Sequence, residues 1–223
     1  TDAAALRAMS EAKAQELLGT TPAAGNVEGM QRAEAAGADV RAAVYWRDGS
    51  MGGTHSAAYL AAFNNHGGGL RFLVGACGVD PNAAGDTSDG FTPLHTACAY
   101  GHTDAATVLL ALGADPTVAS KSGKTPCMCA AYDSGSVPCL RALAAGGPGG
   151  ALGDAVNALN KHGRTALDYA EMNNHDEAAA CLRDELGGGR GVPARRARRQ
   201  ARGRPVSAGS PHAAGRGGRD RKG

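Results

Sequence analysis

The feature that most constrains this chain is a self-match at an offset of 33 residues, in which Asp89-Gly90-Phe91-Thr92-Pro93-Leu94-His95 returns as Ser122-Gly123-Lys124-Thr125-Pro126-Cys127-Met128. A third copy, His162-Gly163-Arg164-Thr165-Ala166-Leu167-Asp168, follows 40 residues after the second, and the Gly146-Gly147-Pro148-Gly149-Gly150 stretch accounts for the surplus as an insertion. Behind each heading come an Ala-rich segment, a polar break and a second apolar segment, which in the clearest copy ends in Gly113-Ala114-Asp115-Pro116. This is one helix–turn–helix per period. A unit so small cannot bury its apolar face alone, so the copies must stack on one another.

Composition agrees with stacking and excludes a large single core. Of the 223 residues 47 are Ala and 34 Gly, while Leu, Val and Phe number 17, 11 and 3 and Ile is absent. So few bulky side chains would indicate disorder in a strongly charged chain, yet the formal net charge is only +2. Small interfaces repeated between Ala-rich helices reconcile the two observations. No apolar run approaches the ~20 residues that span a bilayer, and no secretory leader is evident. Six cysteines spread singly through the repeats do not resemble a secreted disulfide framework. A soluble intracellular protein, cytoplasmic or nuclear, is expected, with no membrane association. The chain opens on Thr1 rather than Met, so flanking domains stay open.

Charge divides the chain near Gly187. Residues 187–223 hold 11 basic residues against one acid, Asp220, which leaves 12 basic and 20 acidic residues in 1–186. An acidic folded body of charge −8 is thus followed by a tail of charge +10. The tail has too little apolar content to offset its ordering entropy and is expected to be disordered.

Local chemistry writes the helix starts. Gly90, Gly123 and Gly163 fall at turns where a positive φ is expected, and Thr92 and Thr125 can cap helices whose first residues, Pro93 and Pro126, need no amide hydrogen. Leu94, Leu109, Leu110 and Leu112 fall at spacings that face neighbouring units, while Ala97, Ala105 and Ala106 permit close helix approach.

The 33-residue period with its Thr92-Pro93-Leu94-His95-Thr96-Ala97 heading resembles the ankyrin repeat. Weaker copies run from Gly25-Asn26-Val27-Glu28 to Gly37-Ala38-Asp39-Val40 and from Thr54-His55-Ser56 to Gly78-Val79-Asp80-Pro81, with His55-Ser56 in place of the Pro-Leu pair and Ala33 at a usual Leu position. The resemblance implies an all-α ankyrin-repeat solenoid of about five helix-turn-helix units with short hairpin turns. Weak or capping units span 1–40 and 41–81, the clearest units 86–118 and 119–151, and a C-terminal cap 156–186, with the disordered Arg/Gly-rich tail over 187–223. The amphipathic Asp2–Leu18 segment is expected to supply the first helix, and the 40–54 stretch with Tyr45 and Trp46 reads as an insertion. Residues 1–80 are expected to exchange amide hydrogens faster than 89–145.

Several chemistries are visible and each has a structural counter-reading. Ser122-Gly123-Lys124-Thr125 looks like the end of a phosphate loop, but Val118 stands where that pattern needs Gly, and the same residues form a turn and cap. Cys127, Cys129, Cys139 and His162 lack zinc spacing; Cys127 and Cys98 read as small core fillers. His95 has no nucleophile and orienting acid at a recognisable spacing. In the ankyrin family this His ties neighbouring turns, a role the resemblance implies here, with Asp168 replacing it in the last copy. His102 reads as a helix-start residue, and Asp184 with Glu185 as a solvated helix end. Neither catalysis, a cofactor nor a metal is expected.

What the resemblance implies is a protein-interaction scaffold or adaptor, expected to be a monomer, that takes a partner protein along its concave groove and hairpin tips. The variable positions carried over by alignment are Asp86, Ser88, Asp89, Phe91, Ala99 and Tyr100, then Ala119, Lys121, Ser122, Lys124, Tyr132 and Asp133, then Leu159, Lys161, His162, Arg164, Met172 and Asn173. Charge along them runs from acidic to basic, and Tyr100 and Tyr132 stand out as anchors. Two alternatives stay open: a nuclear or nucleic-acid-associated protein, and the regulatory part of a larger enzyme. For the former, Arg195, Arg196, Arg198, Arg199, Arg202 and Arg204 supply an import signal or a weak, salt-sensitive contact with nucleic acid.

Overall fold

The computed structural model describes residues 24–40, 43–46, 53–85, 88–146, 152 and 154–188. The chain divides into Thr1–Arg190 and Gly191–Gly223. The second unit lies outside the described residues, as do Asp2–Leu18, Asp86 and most of the glycine-rich insertion. In chain order the first body holds α1 (Val27–Ala35), β1 (Ala43–Trp46), β2 (Gly53–Ser56), α2 (Ala57–Phe63), α3 (Gly67–Leu70), α4 (Pro93–Ala99) and α5 (Thr103–Ala111). It continues with α6 (Pro126–Cys129), α7 (Val137–Gly146), a 3-10 turn (Asp154–Asn157), α8 (Ala166–Met172) and α9 (Asp176–Ala180). Wider, π-type turns at Arg71–Ala76, Ala130–Ser134 and Cys181–Glu185 extend α3, α6 and α9.

The helices pair as α2 with α3, α4 with α5, the Ala130–Ser134 extension of α6 with α7, and α8 with α9, and α4 packs between α2 and α6. Stacked helix-pair units are the result. The 40–54 insertion adds one element to this helical array: β1 and β2 form an antiparallel ribbon with Val44 opposite His55 and Tyr45 opposite Thr54. A run of β-branched and aromatic residues, Val44-Tyr45-Trp46, favours extended backbone there.

Each helix start is fixed by its own cap. The Thr92 hydroxyl accepts from the His95 amide, Thr125 from Met128 and Thr165 from Asp168, with Pro93 and Pro126 opening their helices. In the second unit the alignment on Thr54 is corrected: Ser56 is the cap, accepting from the Tyr59 amide at 3.1 Å, so Ser56-Ala57-Ala58-Tyr59 occupies the place of Thr92-Pro93-Leu94-His95. Thr54 belongs to β2, where the ribbon claims it before the helix begins.

Stacking follows from what these helices bury. Leu94, Leu109, Leu140, Leu143 and Leu182 are fully covered, and Ala97, Ala105 and Ala106 are equally buried, where a larger side chain would find no room in a close-packed core. Cys98, Cys127, Cys129 and Cys139 are buried in the same core. Polar ties run between units at the short turns inside each pair. The His102 ring donates from Nε2 to the Phe63 carbonyl at 2.9 Å, and His175 likewise to Tyr132 at 3.3 Å. His102 therefore does more than start a helix.

Among the described residues no helix is long and apolar enough to cross a membrane.

Candidate functional site

The turns before the first helices are built alike. Gly90, Gly123 and Gly163 have φ of +67°, +80° and +68°, the left-handed conformation these turns require. Each turn closes on itself: Gly85 donates to Phe91, Ser120 to Lys124 and Asn160 to Arg164, at 2.7, 2.8 and 3.0 Å. The second and third also join the turn before them, because the Lys121 amide donates to the Asp89 carbonyl and the Lys161 amide to that of Ser122. A ladder of turn tips results, held by backbone groups rather than by side chains.

Asp89 adds a side-chain bridge that sequence reasoning missed. Its carboxylate accepts from the Ser122 amide at 2.8 Å, the Ser122 hydroxyl at 2.7 Å and the Ser120 hydroxyl at 3.1 Å. Burial pushes this carboxyl up, but the donors from Ser122 and Ser120 and the charge of Lys124 together hold it below the ordinary value. Two of the proposed docking residues, Asp89 and Ser122, are thus bonded to each other across units. A carboxylate followed by two serines 31 and 33 residues later is the signal that marks this bridge.

The remaining positions separate by exposure. Ser88, Ala119, Lys121, Lys161 and His162 are exposed at the tips, and Phe91 is half-buried with its ring stacked on His95 at 5.3 Å. Ala99 and Asn173 are half-buried. Four large side chains stand well out of the core: Tyr100 is 52% exposed, Tyr132 38%, Leu159 48% and Met172 52%. Tyr100 is propped edge-on by Phe63 at 4.6 Å, and Tyr132 by Tyr169 at 5.1 Å. The Asn173 side chain donates to the Tyr132 carbonyl at 2.9 Å. Lys124 Nζ lies 4.6 Å from the Tyr132 ring centroid, and Asp133 is exposed nearby with its carboxyl pushed up by partial burial against the pull of Lys124. At the helix end Glu185 is paired rather than merely solvated, receiving two hydrogen bonds from Arg141 at 2.9 and 2.7 Å.

The nucleophilic side chains are occupied by packing. Burial pushes the Cys127 and Cys129 thiols up to about 12, where they are poor nucleophiles and metal ligands. Cys139 is drawn down to about 6, chiefly by the hydrogen bond from Cys98 and against the effect of burial, while Cys98 rises as the donor of that pair. Among the described residues no three His, Cys, Asp or Glu side chains converge as metal ligands would. Ser122-Gly123-Lys124-Thr125 forms a turn and a helix cap, with the Ser122 hydroxyl taken by Asp89.

The family model described as ankyrin repeats matches three times, over residues 36–120, 58–148 and 112–188, and the chain belongs to the ankyrin repeat family. Ankyrin repeats are generally protein–protein interaction modules. The chain is also similar to an ankyrin repeat-containing protein, P1E11.10, of Schizosaccharomyces pombe, with 41% identity over 49 residues. That match covers 22% of this chain and 23% of the relative.

Proposed function

We propose that this protein is a non-catalytic scaffold or adaptor that captures a partner protein along the turn tips and outward first-helix residues of its third to fifth units. The observation that carries this reading is the row of large side chains the repeat core does not cover: Tyr100, Tyr132, Leu159 and Met172. Aromatic anchors that are already held in place lose little entropy on binding, and such residues dominate interface energies. Tyr100 and Tyr132 meet that description, each braced by a second ring. His95 and the buried cysteines, the side chains with the most chemistry to offer, are used for stacking.

The test compares affinity capture by the full chain and by its Tyr100→Ala/Tyr132→Ala variant, with partners identified by mass spectrometry. Specific partners should fall about tenfold or more in recovery while helical content is preserved. Undiminished recovery would remove these residues as anchors and this face as the docking surface.

A further inference from the structure

We propose that Lys124 and Arg164 form a paired receptor for two carboxylates of an acidic, extended segment of the partner, so that the fourth and fifth turns read charge while the tyrosines supply apolar contact. This rests on the scaffold reading above. Lys124 and Arg164 occupy the same place in successive turns. The Lys124 backbone is fixed from both sides, its N–H donating to Ser120 Oγ at 3.2 Å and its carbonyl accepting from the Ser120 amide and from His95. Arg164 repeats the arrangement, its N–H donating to Asn160 Oδ1 and its carbonyl accepting from the Asn160 amide, both at 3.0 Å.

From those anchored positions both side chains turn to one aromatic group. Lys124 Nζ lies 4.6 Å from the Tyr132 centroid and 5.8 Å from that of Tyr169, and the Arg164 guanidinium carbon lies 5.8 Å from the Tyr169 centroid. The two cations are therefore no further apart than the sum of their distances to Tyr169. Ring faces attract each of them, but like charges repel, and among the described residues no carboxylate forms an ion pair with either cation. Among the described residues the ion pairs are Arg141 with Glu185 and Arg183 with Glu171. The acids that act on Lys124 do so at longer range: Asp89 is engaged by Ser120 and Ser122, and Asp133 forms no ion pair with it.

The surroundings choose the ligand. Turns 120–124 and 160–164 contain Lys121, Lys124, Lys161 and Arg164 and no acid, whereas 88–91 contains Asp89 and no cation. The body as a whole carries 12 basic against 20 acidic residues, so a long polyanion would be repelled beyond this island. A short acidic segment fits instead. In an extended chain side chains at i and i+2 share a face about 6.5 Å apart, a spacing inside the upper limit that the Tyr169 distances set on the separation of the two cations.

The probe is a fluorescein-labelled, amidated peptide with glutamate at alternate positions about a central valine, titrated by anisotropy against the full chain at about 50 mM NaCl, where screening is weak. The glutamate peptide should bind and its glutamine counterpart should bind about tenfold or more weakly. The Lys124→Gln/Arg164→Gln protein should lose the same factor with unchanged circular dichroism and melting temperature, and Lys124→Arg should retain binding. No binding of the glutamate peptide, equal binding of both peptides, or an unaffected double variant would each overturn the receptor. Displacement of the bound peptide by millimolar inorganic phosphate would also overturn it, in favour of a phosphate site. Should Tyr100→Ala abolish partner capture while Lys124→Gln/Arg164→Gln leaves it intact, the scaffold stands and the receptor falls; if neither variant affects capture, the scaffold reading falls as well.

Discussion

Nε2 of His95 lies 2.9 Å from the carbonyl oxygen of Lys124, so one imidazole both completes its own helix cap and ties the third unit to the fourth. The tautomer follows from the other nitrogen. Nδ1 accepts from the Thr92 amide at 3.3 Å and lies 2.8 Å from the Thr92 hydroxyl, which leaves the ring proton on Nε2 to be donated to Lys124. Stacking and display are linked at this bond, because it holds the backbone of the residue whose side chain lies over Tyr132.

Removing that ring should cost more than its packing. In His95→Ala the Lys124 carbonyl keeps the Ser120 amide but loses its second donor, and the buried Thr92 amide loses its acceptor, a loss worth about 1–3 kcal/mol when the amide is left unsatisfied. The expected outcome is a urea midpoint lowered by at least one such increment. An unchanged midpoint would mean that the two units are held together without this bond.

The same histidine gives the fold a pH dependence of defined sign. Burial pushes the His95 pKa below its ordinary value of 6.5, and the Lys124 bond and the Asp89 charge only partly oppose this. The unfolded chain therefore takes up a proton at a higher pH than the folded one, and stability is fully present above 6.5 and lost as pH falls through it toward the folded value. Urea denaturation from pH 8 to pH 5 should show wild type losing more stability than His95→Gln. Parallel curves would exclude His95 as the source.

Leu109 and Leu159 test the division between core and surface. Leu109 is fully buried on α5, so Leu109→Ala should cost about 2–5 kcal/mol through lost contacts and an unfilled cavity. Leu159, 48% exposed, should lose about 0.5 kcal/mol or less on the same change. Thermal melts of the two variants check both expectations, and similar shifts would contradict the assignment.

How much of this was legible depended on whether the deciding partner was local. Thr92, Pro93 and Thr125 declare their helices because a cap acts within three residues. Asp89 looked like a free surface acid because the groups that bind it, Ser120 and Ser122, come from the next unit. The second unit misled for a related reason: Thr54-His55-Ser56 imitates a heading in text, yet the ribbon takes Thr54 and the cap moves to Ser56. Tyr59 then stands where His95 stands two elements later, with its hydroxyl pKa raised chiefly by burial. The grouping of Lys124, Tyr132, Tyr169 and Arg164 was equally hidden, since no spacing rule predicts two turns converging on one ring.

That second unit holds a weakness that substitution should repair. His55 is only 7% exposed and stacks on Tyr59 at 4.8 Å, yet neither ring nitrogen finds a hydrogen-bond partner among the described residues. Burying such nitrogens costs about 1–3 kcal/mol apiece, and an aromatic ring of similar shape without them avoids that cost while keeping the stacking. His55→Phe should therefore raise the melting temperature by roughly 2–4 °C for each kcal/mol recovered in a body of this size. It should also slow amide exchange through Ala57–Phe63 relative to Pro93–Ala99, since the change stiffens the junction between β2 and α2. A lower melting temperature, with exchange in α2 no slower than before, would show that the imidazole contributes a bond worth more than its burial costs.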